Sequence, residues 1–114
     1  MRNRSSPPVL PSAPVDLLAV AVGGCQVILA WTECGASGLG FCIERTDGID
    51  PCGPFVEIGE VGPHVTAFGD GSVTPGATYS YRVHAWNASG VSSPSNEAAV
   101  TPPQSRTEPP TDMR

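Results

Sequence analysis

The clearest hydrophobic pattern in the chain spans residues 79–86. Every second position there is apolar or aromatic, namely Tyr79, Tyr81, Val83 and Ala85. The positions between them are Ser80, Arg82, His84 and Trp86. A period of two, in a segment rich in aromatic residues, predicts a β-strand with one buried face. Pro75 and Gly76 before it and residues 87–90 after it have turn chemistry, so we expect a long strand between two turns.

Weaker versions of this pattern predict six further strands, at residues 15–22, 26–32, 41–46, 55–61, 65–68 and 96–101. The apolar spacing in residues 55–61 departs from strict alternation, which predicts a β-bulge or a bend there. No window shows sustained helical periodicity, so the predicted fold class is all-β.

The alternation also predicts which side chains point into the core. On the two strands after the first, these are Val27, Leu29, Trp31, Phe41 and Ile43. The outward positions of the second of these strands are then Cys42, Glu44 and Thr46. We expect Trp31 near the centre of the core, because it is the largest of the inward side chains.

Several short motifs follow one another in a fixed order: Pro11-Ser-Ala-Pro14, Val27-Ile-Leu-Ala-Trp31, Phe41-Cys-Ile-Glu-Arg45, Phe68-Gly-Asp70, Val73-Thr-Pro-Gly76 and Tyr79-Ser-Tyr-Arg-Val83. In this order and spacing, over about 90 residues, they resemble a fibronectin type III domain. The resemblance implies an immunoglobulin-like sandwich of two antiparallel sheets with seven strands. It also implies a tyrosine corner at Tyr79, whose hydroxyl bonds to nearby backbone.

Both ends of the sequence have a different composition from its middle. Six of the 13 prolines fall in residues 1–13 and 103–114, among serines and charged residues. This composition is typical of extended or disordered linkers. The sequence therefore predicts one domain, residues 14–102, between two flexible proline-rich segments. We expect it to be a monomeric module of a longer protein with neighbouring domains.

Charge and composition exclude several classes of function. The formal net charge is −5 with only six basic residues, which provides no basic face for nucleic acid. No apolar run approaches the roughly 18 residues of a membrane span, and the first residues lack the apolar core of a signal peptide. The only histidines are His64 and His84, no motif places a nucleophile beside them, and no pair of carboxylates has a recognisable active-site pattern. We therefore predict no enzyme activity, metal or cofactor.

Four cysteines are additions to the usual family pattern: Cys25, Cys34, Cys42 and Cys52. Disulfide bonds are the favoured interpretation, ahead of free thiols in a reducing compartment, a zinc site and a catalytic thiol. In the sandwich that the resemblance implies, Cys34 and Cys42 lie at one end and Cys25 and Cys52 at the other. This favours the pairings Cys34–Cys42 and Cys25–Cys52, although an outward Cys42 weakens the first.

One outer sheet face is the candidate interaction surface. It is predicted to carry Glu44, Thr46, Arg82, His84 and Trp86. An outward tryptophan beside arginine and histidine can stack on a sugar or anchor a protein partner. The competing interpretation is that the following turn or the strand at residues 55–61 covers Trp86.

Two functions are compatible with these features. The first is a spacer or protein-interaction module of an extracellular or secreted protein, with protein partners. The second is an accessory carbohydrate-binding module that uses Trp86 on a glycan. The sequence also contains the triplet Asn87-Ala-Ser89, an acceptor pattern for N-glycosylation that is equally ordinary turn chemistry.

Overall fold

The computed structural model describes residues 9–35, 38–46 and 54–104. These residues form eight β-strands and no helix, which confirms the all-β prediction. In chain order the strands are β1 (Val15–Ala21), β2 (Val27–Thr32), β3 (Gly40–Thr46), β4 (Phe55–Val61), β5 (Ala67–Asp70), β6 (Tyr79–Asn87), β7 (Gly90–Val91) and β8 (Ala98–Val100). Within the described part of the chain, no helix is long and apolar enough to cross a bilayer.

The strands form two antiparallel sheets, as predicted. One has the order β1-β2-β5, and the other has the order β4-β3-β6-β7, with β8 also paired to β6. Two boundaries differ from the prediction. The strand expected at residues 65–68 is β5, two residues later, and the strand expected at residues 96–101 is the shorter β8, while the two-residue strand β7 was not predicted.

The interruption between β7 and β8 has a local cause. Trp86 pairs with Val91 and Tyr81 pairs with Ala98, so six residues (92–97) lie opposite four (82–85). Two serines bridge this mismatch, since the hydroxyl of Ser92 accepts from the Ala85 N–H at 2.9 Å and that of Ser95 accepts from the Val83 N–H at 3.0 Å. The backbone N–H groups of Ser92 and Ser95 also donate to the carbonyls of Ala85 and Val83, at 2.7 and 2.8 Å. Each serine therefore binds both backbone polar groups of its partner on β6, the carbonyl through its backbone and the N–H through its side chain.

The core fills the space between the sheets. Its buried apolar residues are Leu17, Val27, Leu29, Trp31, Phe41, Ile43, Val73, Tyr79, Tyr81, Val83 and Ala85. All five side chains predicted to point inward from β2 and β3 are among them. The rings of Trp31 and Phe41 meet edge to face with centroids 5.5 Å apart. The predicted bulge in residues 55–61 is also present, because Ile43 pairs with Gly59 but Glu44 pairs with Glu57, leaving Ile58 extra.

A buried carboxylate joins the two sheets at one end of the core. Asp70, on β5, accepts hydrogen bonds from the Tyr81 hydroxyl at 2.7 Å and from Arg45 Nη1 at 2.8 Å. Burial raises the pKa of Asp70, but the hydrogen bonds from Tyr81, Ser72 and Arg45 outweigh this and hold it below its ordinary value. Nearby, the Thr74 N–H donates to the Tyr79 hydroxyl at 2.8 Å, the contact expected of a tyrosine corner.

The free edge of β1 is modified in two ways. Asp16 has a φ of 57°, and the register with β2 shifts between Val15 and Leu18. The side-chain amide of Asn96 then pairs with both backbone polar groups of Leu17, accepting from its N–H at 2.9 Å and donating to its carbonyl at 3.1 Å. A side chain therefore takes the place of a neighbouring strand.

Candidate functional site

Three of the predicted interaction residues form a hydrogen-bonded cluster on the outer side of β3 and β6, which we call the charged face. Glu44 pairs with Arg82 across the strands, and its Oε1 lies 2.6 Å from Arg82 Nε and 2.9 Å from His84 Nε2. The other ring nitrogen of His84 lies 2.8 Å from the carbonyl oxygen of Ser92. Glu44 thus links β3 to β6. His84 links β6 to residues 92–97, which we call the serine segment.

The charges of this cluster are largely satisfied within the domain. Burial raises the pKa of Glu44, but the hydrogen bonds and charges of Arg82 and His84 outweigh it and leave the pKa below its ordinary value. The two ring nitrogens of His84 thus both face oxygen atoms, one of the Glu44 carboxylate and one of the Ser92 backbone. The Arg82 guanidinium also stacks on the Phe55 ring, 4.1 Å from its centroid. The cluster therefore has a structural task within the sheet.

Thr46 does not belong to an exposed face, and this part of the prediction is wrong. Its side chain is fully buried, and its hydroxyl accepts a hydrogen bond from the Ser80 N–H at 2.9 Å. Alternation placed Thr46 outward, but the beginning of β6 covers it. Thr46 thereby provides an acceptor for the Ser80 N–H, which would otherwise be buried without a hydrogen-bond partner.

Trp86 lies on the same face but is half-buried. It pairs with Gly40, and a Cβ atom at Gly40 would come within 2.9 Å of the Trp86 ring, so the indole lies directly over the glycine. The indole nitrogen is buried and has no hydrogen-bond partner among the described residues. The contact that covers the indole ring comes from Gly40 on β3, and the interaction role of Trp86 stays a prediction.

The thiols of Cys25, Cys34 and Cys42 are free in the structure, and Cys52 lies outside the described residues. The two disulfide pairings therefore remain predictions. Burial, together with the negative charges of Glu57, Glu44 and Glu60, raises the pKa of Cys42 to about 11. At neutral pH the Cys42 thiol is protonated, so it is a poor nucleophile and a poor metal ligand.

The outer side of the other sheet was missed in the sequence analysis. Its outward positions on β1, β2 and β5 are uncharged and almost all apolar: Val15, Leu18, Val20, Ile28, Ala30, Thr32, Ala67 and Gly69. We call this surface the apolar face. A signal was available, because residues 17–22 are apolar at every position rather than at alternate ones. A strand of that composition presents apolar side chains on both sides.

The described residues form two clefts on the surface. A cleft of about 360 Å³ lies beside Arg45 and Tyr79, where Arg45 Nη1 is bonded to Asp70 and Ser72. A groove of about 720 Å³ follows β1 beside the apolar face. Within the described ranges, no three His, Cys, Asp or Glu side chains are grouped to hold a metal ion.

Comparisons with known proteins agree with this architecture. No protein-family model and no curated protein matches the sequence. Among solved structures, an Fn3-like protein from Clostridium thermocellum is 24% identical with a TM-score of 0.68, and the match covers 85% of this chain and 98% of that one. Domains A168–A170 of titin are 21% identical with a TM-score of 0.72, covering 83% of this chain and 33% of that one.

The FN1–FN3 domains of chicken CNTN1 give a similar result, with 18% identity, a TM-score of 0.73, and coverage of 83% of this chain and 33% of that chain. The chain has the fibronectin type III fold. It spans about a third of the length of the titin and CNTN1 structures, which contain several domains.

Proposed function

We propose that this chain is a non-catalytic spacer or protein-interaction module of a larger, extracellular protein. The fold supports this role, since its solved relatives include segments of the multidomain proteins titin and CNTN1. Fold alone does not define function, so the proposal depends on how the chain enters and leaves the sandwich.

The segment before β1 is packed against one end of the domain. Pro11 is buried, and the side-chain amide of Asn87 donates to the Val9 carbonyl at 3.0 Å. A Cβ atom at Gly35, just past β2, would contact the Ser12 side chain. The entering chain thus lies against the end of the sandwich where β2 and β6 finish.

The segment after β8 is packed against the opposite end. Pro102 is buried, and its carbonyl accepts from the Gly76 N–H at 2.8 Å. The Pro103 carbonyl approaches Gly24, in the turn before β2. The entering flank is therefore held where β2 and β6 finish, and the leaving flank is held where both strands start. This arrangement, in which entry and exit lie at opposite ends and are both fixed, is the observation that carries the spacer proposal.

Single-molecule energy transfer tests this arrangement. The chain is placed between two fluorescent domains, and the distribution of their separations is measured. We expect a narrow distribution, because the described flanking residues are packed on the domain, and a broader one for Asn87→Ala with Pro11→Gly. Ser89→Ala, in the same turn, is the matched control. A wild-type distribution as broad as that of the double variant would contradict the rigid-spacer role.

The extracellular location depends on the cysteines. We expect the secreted protein to form the Cys34–Cys42 and Cys25–Cys52 disulfides, which would add roughly 2–4 kcal/mol each. Alkylation without reduction, followed by mass spectrometry, counts the free thiols. Four reactive thiols in material from an oxidising compartment would contradict this location.

A further inference from the structure

The apolar face has an uneven relief across its three strands. The large side chains lie on β1, where Leu18 and Val20 are 64% and 57% exposed. The central strand carries Ile28 and Ala30, and β5 carries the small residues Ala67 and Gly69. The register aligns these positions in rows, since Leu18 pairs with Ala30 and Ala30 with Ala67. The face is therefore a ridge along β1 beside a shallow shelf along β5.

Such a surface is complementary to itself. If two copies stack these faces about a two-fold axis parallel to the strands, β1 of each copy lies over β5 of the other. The ridge of one copy then fills the shelf of the other, and this happens twice by symmetry. Stacked sheets pack about 10 Å apart through interdigitating side chains, which the alternation of large and small residues permits.

Charge favours the same arrangement. Each copy carries a net charge of −5, so most approaches between two copies are repulsive. On the other sheet, Glu44, Glu57 and Glu60 lie close enough to raise the pKa of Cys42 between them. In the strands of the apolar face, Asp16 lies in the bulge of β1 and Asp70 is buried in the core. The middle of the apolar face is uncharged, so two copies can meet there without repulsion.

The area is that of a weak but specific contact. Leu18 and Val20 are 64% and 57% exposed, and the largest apolar patch on a typical monomer is about 300–600 Å². Two faces at the upper end of that range would bury about 1,000 Å², the lower limit of a specific interface.

We infer that the chain self-associates through the apolar face, forming a symmetric dimer in which β1 of one copy packs on β5 of the other. The contact brings two longer proteins side by side. It does not depend on the spacer role, which is determined by the flanks rather than by the sheet surface.

Sedimentation velocity between about 10 µM and 1 mM tests the inference, in the concentration range where weak interfaces populate a dimer. The wild-type sedimentation coefficient is expected to rise with concentration. Val20→Lys, on the ridge, and Ala67→Lys, on the shelf, each place a charge within the contact, and we expect roughly tenfold or greater weakening from either.

Val56→Lys is the matched control, because Val56 is 60% exposed at the edge of the other sheet. It is expected to leave association unchanged, and circular dichroism checks that every variant is folded. A wild-type chain that stays monomeric throughout would overturn the inference. Equal weakening by Val56→Lys, or no effect of Ala67→Lys, would overturn it as well, because the contact would then lie elsewhere.

Discussion

The two sheets present opposite kinds of outer surface. On the charged face, Glu44, Arg82 and His84 are polar, yet they are bonded to one another and to backbone. On the apolar face, Leu18 and Val20 are hydrophobic, yet they are more than half exposed. Polarity alone therefore does not show which surface is available to a partner. Substitutions of polar residues beside β6 should be costly, while substitutions on the apolar face should cost the isolated domain little.

The largest effect is expected from the two serines beside the charged face. Replacing both Ser92 and Ser95 with alanine leaves the buried N–H groups of Ala85 and Val83 without acceptors, which should lower the free energy of unfolding by about 3 kcal/mol. Urea denaturation measures the change. Ser93→Ala, at an exposed neighbour, should have no effect. A double variant as stable as wild type would show that β7 and β8 hold β6 without the serines.

A smaller effect is expected at Thr46. Thr46→Val keeps the side-chain shape but removes the acceptor of the Ser80 N–H, so it should cost about 1–2 kcal/mol. Thr32 offers a matched control, because it is an exposed threonine at the end of β2 on the other sheet. Thr32→Val should change stability by less than about 0.5 kcal/mol. If thermal unfolding showed the same loss of stability for Thr46→Val and Thr32→Val, the two sheets would not differ in how much their outward polar side chains contribute to stability.

Glu44→Gln should cost about 1 kcal/mol at neutral pH, because it weakens the bonds to Arg82 and His84. The pKa of Glu44 in the folded protein lies below its ordinary value of 4.5. The unfolded chain therefore binds this proton more readily, and the contribution of Glu44 is lost as the pH falls below about 4.5 through the folded pKa. The difference between wild type and variant should shrink in that window. A difference that stays constant down to pH 3 would mean that the charge of Glu44 is not involved.

The smallest effect is expected at Val20. Val20→Thr keeps a β-branched side chain at an exposed position, so the free energy of unfolding should change by less than about 0.5 kcal/mol. Chemical denaturation at low protein concentration makes this measurement without self-association. A loss above about 1 kcal/mol would mean that the apolar face contributes to the stability of the single domain.

Alternation predicted the fold because it reports the direction in which each side chain points. Trp31, Phe41 and Ile43 are buried as expected, and the irregular spacing near Ile58 correctly indicated the bulge. Direction does not report what lies above a side chain. Thr46 is covered by the start of β6 and Trp86 lies on Gly40, and neither contact has a local sequence signature.

The serine segment was unpredictable for a different reason. Ser92, Pro94 and Ser95 have the composition of a loop, and hydrophobicity carries no information on hydroxyl groups that replace backbone acceptors. The apolar face, in contrast, was visible in the unbroken apolar run from Leu17 to Val22. A strand that is apolar on both sides has no period of two, so alternation gives no signal for its outer side.

The pairing of Asn96 with Leu17 has a consequence for proteins that carry many such modules in tandem. In an array, every domain experiences a high local concentration of the others, and an unpaired edge would act as a template for intermolecular sheet growth. Asn96 occupies the backbone donor and acceptor of Leu17 that an incoming strand would use, and the bend at Asp16 disturbs the groups beside them. At Leu17, the backbone groups that strand exchange would need are already bonded within the domain.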